Sequence, residues 1–96
     1  MVSSLGRITL YLLEKPESLK DKRRVIKSLK DRVRARFNVS ISEVDNQDLW
    51  HCATLGVALV CCDRKQAQTI SDRIVEFIRE AKKVEIIDYD FIIENY

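Results

Sequence analysis

Residues 16–36 read PESLKDKRRVIKSLKDRVRAR and hold nine of the seventeen Lys and Arg residues of the chain. The segment from Lys20 to Arg36 contains only two acids, Asp21 and Asp31, so its net charge is +7. The whole chain sums to +2, which leaves −5 for the rest. Clustered cations attract polyanions whatever fold surrounds them. The stretch therefore predicts a binding surface as well as a helix.

The same stretch predicts an amphipathic helix that begins at Leu19. Pro16 ends the extended chain before it, and Ser18 with Asp21 three residues later resembles a capping box. At 100° per residue, an apolar arc of about 120° is opposed by a basic arc of similar width, which predicts a core-facing and a solvent-facing side. The apolar arc holds Leu19, Val25, Ile26, Leu29 and Val33, and the basic arc holds Lys20, Arg23, Arg24, Lys27, Lys30 and Arg34.

Lys22 is the exception, because its angle places it inside the apolar arc. We expect its methylenes to lie along the core and its ammonium to reach the rim. The basic arc is expected to present six cations with no acid among them, and such cations repel each other on a helix surface. That imbalance favours an electrostatic binding role over a merely solvated face.

Hydrophobic periodicity predicts four strands and a second helix. The strands are expected at Leu5–Leu13, Phe37–Asp45, Cys52–Cys62 and 84–95, where apolar residues alternate with polar or small ones. The second helix follows a cap-like Asp63. The predicted core positions are Ile8, Leu10 and Leu12; Phe37, Val39 and Ile41; Ala53, Leu55, Val57, Leu59 and Cys61; Ala67, Ile70, Ile74, Phe77, Ile78 and Ala81; and Ile87, Tyr89, Phe91 and Ile93.

The element order is therefore βαββαβ, within a single domain of residues 1–96. This order predicts an α+β, ferredoxin-like fold, in which a four-stranded antiparallel sheet carries two helices on one face. Asp88 and Asp90 charge the outer side of the last strand, as is typical of an edge strand.

Composition and motifs exclude several function classes. No apolar run approaches the roughly 20 residues of a membrane span, and the first residues lack the order of a signal peptide, so we expect a cytoplasmic protein that does not engage membranes. Three cysteines without C-x-x-C spacing predict reduced thiols and no metal or cofactor. Thr54, Gly56, Ala58 and Val60 offer no aromatic platform for stacking bases on the sheet, and no motif predicts a small-molecule substrate.

The loop DNQDLW offers a second possible site. We predict an interaction loop at Asp45, Asn46, Gln47, Asp48 and Trp50, in which Trp50 is either a core plug or a binding anchor. Asp45, Asp48 and His51 would form an acid/base pair or a metal site if they converged, but turn formation explains the acids more simply. A further anion site is conceivable at the start of the first helix, where free N–H groups would act with Lys20 or Lys22.

The segment SLKDKRRVIKSLKDRVRARFNVSISEVDNQDLW, from Ser18 to Trp50, closely resembles the YlxP-like family of small bacterial proteins of unknown function. The similarity continues through ATLGVALV at residues 53–60. The resemblance implies a ferredoxin-like fold. Genes of the family often lie near genes for transcription and translation factors, which implies a role around the ribosome. No catalytic residue is established for the family, so none is transferred.

These observations lead to three hypotheses. The first is a non-enzymatic RNA- or ribosome-associated module that contacts phosphates through the basic arc of the first helix. The second is a protein-interaction domain that forms a homodimer through the open sheet face or the loop at 45–50. The third is an enzyme built on Asp45, Asp48 and His51.

Overall fold

The computed structural model describes residues 1–96, and its backbone forms a four-stranded antiparallel sheet and two helices. The strands lie in the spatial order β2-β3-β1-β4, so β1 is central and β4 is an edge. This arrangement confirms the predicted α+β, ferredoxin-like fold. The elements are β1 (Val2–Leu12), α1 (Leu19–Arg36), β2 (Ser40–Asp45), β3 (Cys52–Cys61), α2 (Arg64–Arg79) and β4 (Val84–Asn95).

The hydrophobic core lies between the sheet and both helices. Ile8 and Leu10 of β1 and Leu55 of β3 are fully buried, and they belong to the same 15-residue cluster as Ile26 of α1 and Ile74 of α2. Because one cluster joins both helices to the same strands, the helices share one face of the sheet. Neither helix is long and apolar enough to cross a bilayer.

Helix α1 begins where the sequence predicts, at Leu19, and its first turn is closed by its own side chains. The Ser18 hydroxyl accepts a hydrogen bond from the Asp21 backbone N–H at 3.1 Å. The Asp21 carboxylate accepts from the backbone N–H of Glu17 at 3.2 Å, one residue earlier than in a standard capping box. The predicted role of Lys22 in an anion site at this helix start is wrong, because its side chain is fully buried; the role of Lys20 stays a prediction.

The predicted start of the second strand, Phe37, is also wrong. The Phe37 N–H donates to the Val33 carbonyl at 2.8 Å and so terminates α1, while β2 begins only at Ser40. The Phe37 ring packs edge-on against Phe77 of α2 at a centroid distance of 5.8 Å. An apolar residue in a helix cap produces the same sequence alternation as the first residue of a strand, which explains the error.

A β-bulge corrects the predicted inner face of the last strand. Thr9 pairs with Asp88 but Leu10 pairs with Ile86, so Ile87 is an extra residue and is exposed. The bulge reverses the alternation before Asp88, so Val84 and Ile86 face the helices in place of the predicted Ile87. Tyr89, Phe91 and Ile93 lie on the predicted side, although Tyr89 is 42% exposed.

Candidate nucleic-acid interface

The basic arc of α1 lies on the outer surface, as predicted. Lys20, Arg23 and Arg24 are exposed, whereas Lys30 is half-buried at the border of the arc. None of these four side chains makes an ion pair or a hydrogen bond within the protein. Their charges are therefore available to a partner.

The expectation that the arc contains no acid is wrong, because Asp31 lies within it. Lys27 Nζ is 2.8 Å from Asp31 Oδ2, and Arg34 Nη1 is 3.3 Å from Asp31 Oδ1. The hydrogen bond from Lys27 lowers the pKa of Asp31 below its ordinary value, and the charges of Lys27, Arg34 and Lys30 act in the same direction against partial desolvation. Arg34 also donates to the Ile41 carbonyl of β2 at 2.8 Å. Lys27 and Arg34 are thus partly neutralised and partly structural.

A groove of about 360 Å³ runs between α1 and the turn that joins α2 to β4, at residues 80–83. We call it the α1–turn groove. Arg32, Lys82 and Lys83 were not predicted as members of this surface, because only the tertiary fold forms a groove between α1 and this turn. Its lining consists of Arg24, Val25, Ser28, Leu29 and Arg32 of α1 and Glu80, Ala81, Lys82, Lys83 and Val84.

Arg32 and one further arginine, Arg36, extend the basic surface toward α2. The guanidinium carbons of Arg32 and Arg36 lie 5.5 and 5.6 Å from the centroid of the Phe77 ring. Cations at this distance are attracted to the face of an aromatic ring. The contact limits the rotamers of Arg32 at the edge of the α1–turn groove while leaving its charge exposed.

The loop between β2 and β3 is held from inside by Lys22. The prediction that its ammonium reaches the rim is wrong, because the side chain is fully buried. Lys22 Nζ donates to the Asn46 carbonyl at 2.7 Å and lies 3.4 Å from the Gln47 carbonyl and 2.9 Å from Glu43 Oε2. Glu43 Oε2 is buried and receives no hydrogen bond of good geometry, so its partner is the charge of the ammonium.

The remaining loop contacts are those of a turn. Asn46 has a φ of 61°, a left-handed conformation that Asn tolerates, and its Nδ2 donates to Thr54 Oγ1 at 2.8 Å. The Asp45 carboxylate accepts from the Asn46 N–H at 2.8 Å. The core-plug alternative for Trp50 is wrong, because its side chain is 46% exposed.

No side-chain hydrogen bond joins Asp45, Asp48 and His51, the three residues of the enzyme hypothesis. Asp48 is exposed, and the His51 ring lies beside the Tyr11 ring at a centroid distance of 6.1 Å. No group of three or more His, Cys, Asp and Glu side chains is arranged to hold a metal ion. The Asp45 carboxylate already serves the turn.

The sheet face away from the helices is open and partly apolar. Leu5 of β1 pairs in register with Ala58 of β3 and with Ile92 of β4, so these side chains form a row across three strands. Leu5, Ile92 and the neighbouring Val60 are 61%, 55% and 67% exposed. The row is the second surface that could bind a macromolecule.

Two comparisons relate the chain to known proteins. A family model described as "Protein of unknown function (DUF503)" matches residues 5–91. The chain is also 41% identical over 68 residues to a Bacillus subtilis (strain 168) protein described as "Uncharacterized protein YlxP", a match that covers 71% of this chain and 74% of that protein. These findings confirm the similarity that the segment from Ser18 to Trp50 predicted.

Proposed function

We propose that this chain, which belongs to the DUF503 family of proteins of unknown function, is a non-enzymatic, cytoplasmic RNA-binding module that docks on structured RNA such as ribosomal RNA through the outer face of α1. The observation that supports the proposal is the set of basic side chains on one helix face that have no partner within the protein. They are Lys20, Arg23, Arg24 and Lys30.

The spacing of these cations suits a phosphate backbone. Lys20 and Lys30 are ten residues apart, which corresponds to about 15 Å along a helix axis. The four unpaired cations along that length allow up to four contacts with the phosphates of an RNA backbone. Binding of this kind releases counterions, so it is salt-sensitive and depends only weakly on base sequence.

The test is the salt dependence of binding to a fluorescently labelled RNA hairpin, measured by anisotropy. Four phosphate contacts predict that affinity falls by about 50- to 150-fold between 50 and 200 mM salt. Replacing both arginines in R23Q/R24Q removes two contacts, so the fall is expected to shrink to about 7- to 12-fold. Neutral replacements are used because they remove charge without adding repulsion.

The matched control is K65Q/R73Q, which removes the same net charge from α2. Lys65 and Arg73 are exposed and make no ion pair, as is true of Arg23 and Arg24. The control is expected to keep most of the wild-type salt slope. The proposal is wrong if wild-type binding is insensitive to salt, or if both double variants lose affinity and slope equally, since the effect would then come from net charge alone.

The apolar row on the open sheet face favours a second candidate function, homodimer formation. Its test is sedimentation velocity over a range of concentrations. If the row is the interface, L5K/I92K is expected to be monomeric, whereas L49K, an equally apolar-to-charged change in the loop at 45–50, is expected to leave the dimer intact. A wild-type chain that stays monomeric at its highest soluble concentration rules this function out.

A further inference from the structure

We infer that the α1–turn groove binds one unpaired nucleotide of a single-stranded RNA segment, with the base on the apolar floor and the adjoining phosphates on the basic rim. The inference rests on the proposed function. It adds a preference for single-stranded over duplex RNA, which the outer face of α1 alone would not have. It follows from three properties of the groove: the row of residues that α1 contributes, the chemistry of the floor and the charge of the rim.

The α1 side of the groove consists of Arg24, Ser28 and Arg32. These residues are four apart, so they form one row along the helix, and the two arginines are separated by about 12 Å of helix axis. Ser28 is small and leaves a gap between them. Guanidinium planes stack on nucleobases, and one of them, that of Arg32, is already oriented by Phe77. The row therefore offers a slot beside Ser28 in which a planar ring can stack on one of the two planar cations.

The floor is apolar, since it is formed by Val25, Leu29, Ala81 and Val84. The groove volume of about 360 Å³ lies in the lower part of the range for small-molecule sites, roughly 300–1,000 Å³. A phosphate alone gains nothing from an apolar floor. Bases within a duplex are stacked and paired, so only an unpaired base can enter.

The rim is strongly basic. Arg24, Arg32, Lys82 and Lys83 oppose a single acid, Glu80. Arg24, Lys82 and Lys83 make no ion pair within the protein, and Lys82 and Lys83 lie across the groove from α1. Phosphates on both sides of an inserted base would each meet an unpaired cation. Arg24 belongs to both the groove and the basic arc, so a strand that fills the groove continues onto the outer face of α1.

The test blocks the slot without changing charge. Leu at position 28 fills the gap between the arginines, and Leu is a good helix former, so S28L is expected to fold. The matched control is A35L, because Ala35 is exposed, points in nearly the same direction as Ser28 and lies about 10 Å further along the helix, outside the groove. The probes are a labelled 12-nucleotide oligoadenylate single strand and a 12-base-pair RNA duplex.

We expect wild type to bind the single strand more tightly than the duplex. S28L is expected to lose about tenfold in affinity for the single strand, within the range for loss of one stacked base, and to bind the duplex as wild type does. A35L is expected to match wild type on both probes. If S28L keeps its single-strand affinity, or if A35L loses as much, the groove inference is wrong. R23Q/R24Q tests the proposed function separately. If the proposed function is correct, this variant loses affinity for both probes, whatever S28L does. If wild type binds neither probe, both proposals are wrong.

Discussion

Replacing Lys22 by Met is expected to destabilise the fold strongly, because it removes a buried charge that contacts two loop carbonyls and the Glu43 carboxylate. Met keeps most of the apolar stem, so the packing against the core changes little. What disappears is the ammonium that donates to the Asn46 carbonyl at 2.7 Å and lies 2.9 Å from Glu43 Oε2. The Glu43 side chain is only 14% exposed and would lose its ion-pair partner.

Removing one partner of a buried ion pair costs about 3–5 kcal/mol, since the other charge stays desolvated. The Asn46 and Gln47 carbonyls also lose their donor. We therefore expect K22M to lower the free energy of unfolding by about 4 kcal/mol, a large part of the 5–15 kcal/mol typical of a domain. K22M/E43L removes the orphaned carboxylate as well, and is expected to recover about half of the loss, because the loop carbonyls stay unsatisfied.

The assay is urea unfolding followed by circular dichroism and by fluorescence of Trp50. Trp50 is the only tryptophan of the chain and lies in the loop that Lys22 holds, so its emission reports on that loop directly. The control is K20M in the same helical turn, where an exposed, unpaired ammonium is removed and the change is expected to stay within about 0.5 kcal/mol. A loss below about 1 kcal/mol in K22M, with unchanged Trp50 emission, would show that the ammonium is not buried against the loop.

Two other substitutions test particular contacts. D31N removes the carboxylate that pairs with Lys27 and Arg34. Affinity for the RNA hairpin at low salt is therefore expected to rise by about two- to fivefold. An unchanged or lower affinity, measured by anisotropy, would count against the basic arc as the RNA site. The folded state lowers the pKa of Asp31 below 3.8, so the ion pair stabilises the protein above that pH and is lost on acidification below it. D31N lacks this pair. Its urea midpoint is therefore expected to depend less on pH, below about pH 4, than that of wild type. G6A places a methyl group in the space filled by the Phe91 ring, and is expected to cost about 1–3 kcal/mol in urea unfolding; a neutral result would mean that the ring moves aside freely.

The order of elements was predictable because each depends on neighbours in the sequence. The alternation around Ile8 and Leu10 and the apolar arc of α1 are local patterns, and hydrophobic burial acts on them in the same way in most folds. The start of α1 was predictable for the same reason, since Ser18 caps the helix through a group only three residues away. These patterns sufficed for the ferredoxin-like fold.

The errors arose where tertiary structure decides between local alternatives. The bulge at Ile87 depends on pairing with β1, which the alternation of β4 alone does not reveal. The environment of Lys22 depends on carbonyls 24 and 25 residues away, so its helical angle indicated the correct direction but not its partners. The candidate site was also only partly predictable. The basic arc follows from the periodicity of α1, whereas Lys82 and Lys83 join it only because α1 packs beside the turn at residues 80–83.

The buried ammonium of Lys22 also bears on how long the folded state lasts. The ammonium can leave water only when the Asn46 and Gln47 carbonyls are in place to accept its hydrogen bonds. These carbonyls are 24 and 25 residues away in the chain, so the intervening segment must first fold back on itself. We expect this contact to be absent from the folding transition state and to form afterwards. A contact of that kind slows unfolding and leaves the folding rate almost unchanged. Lys22 would then set the lifetime of the native chain rather than the speed of its formation.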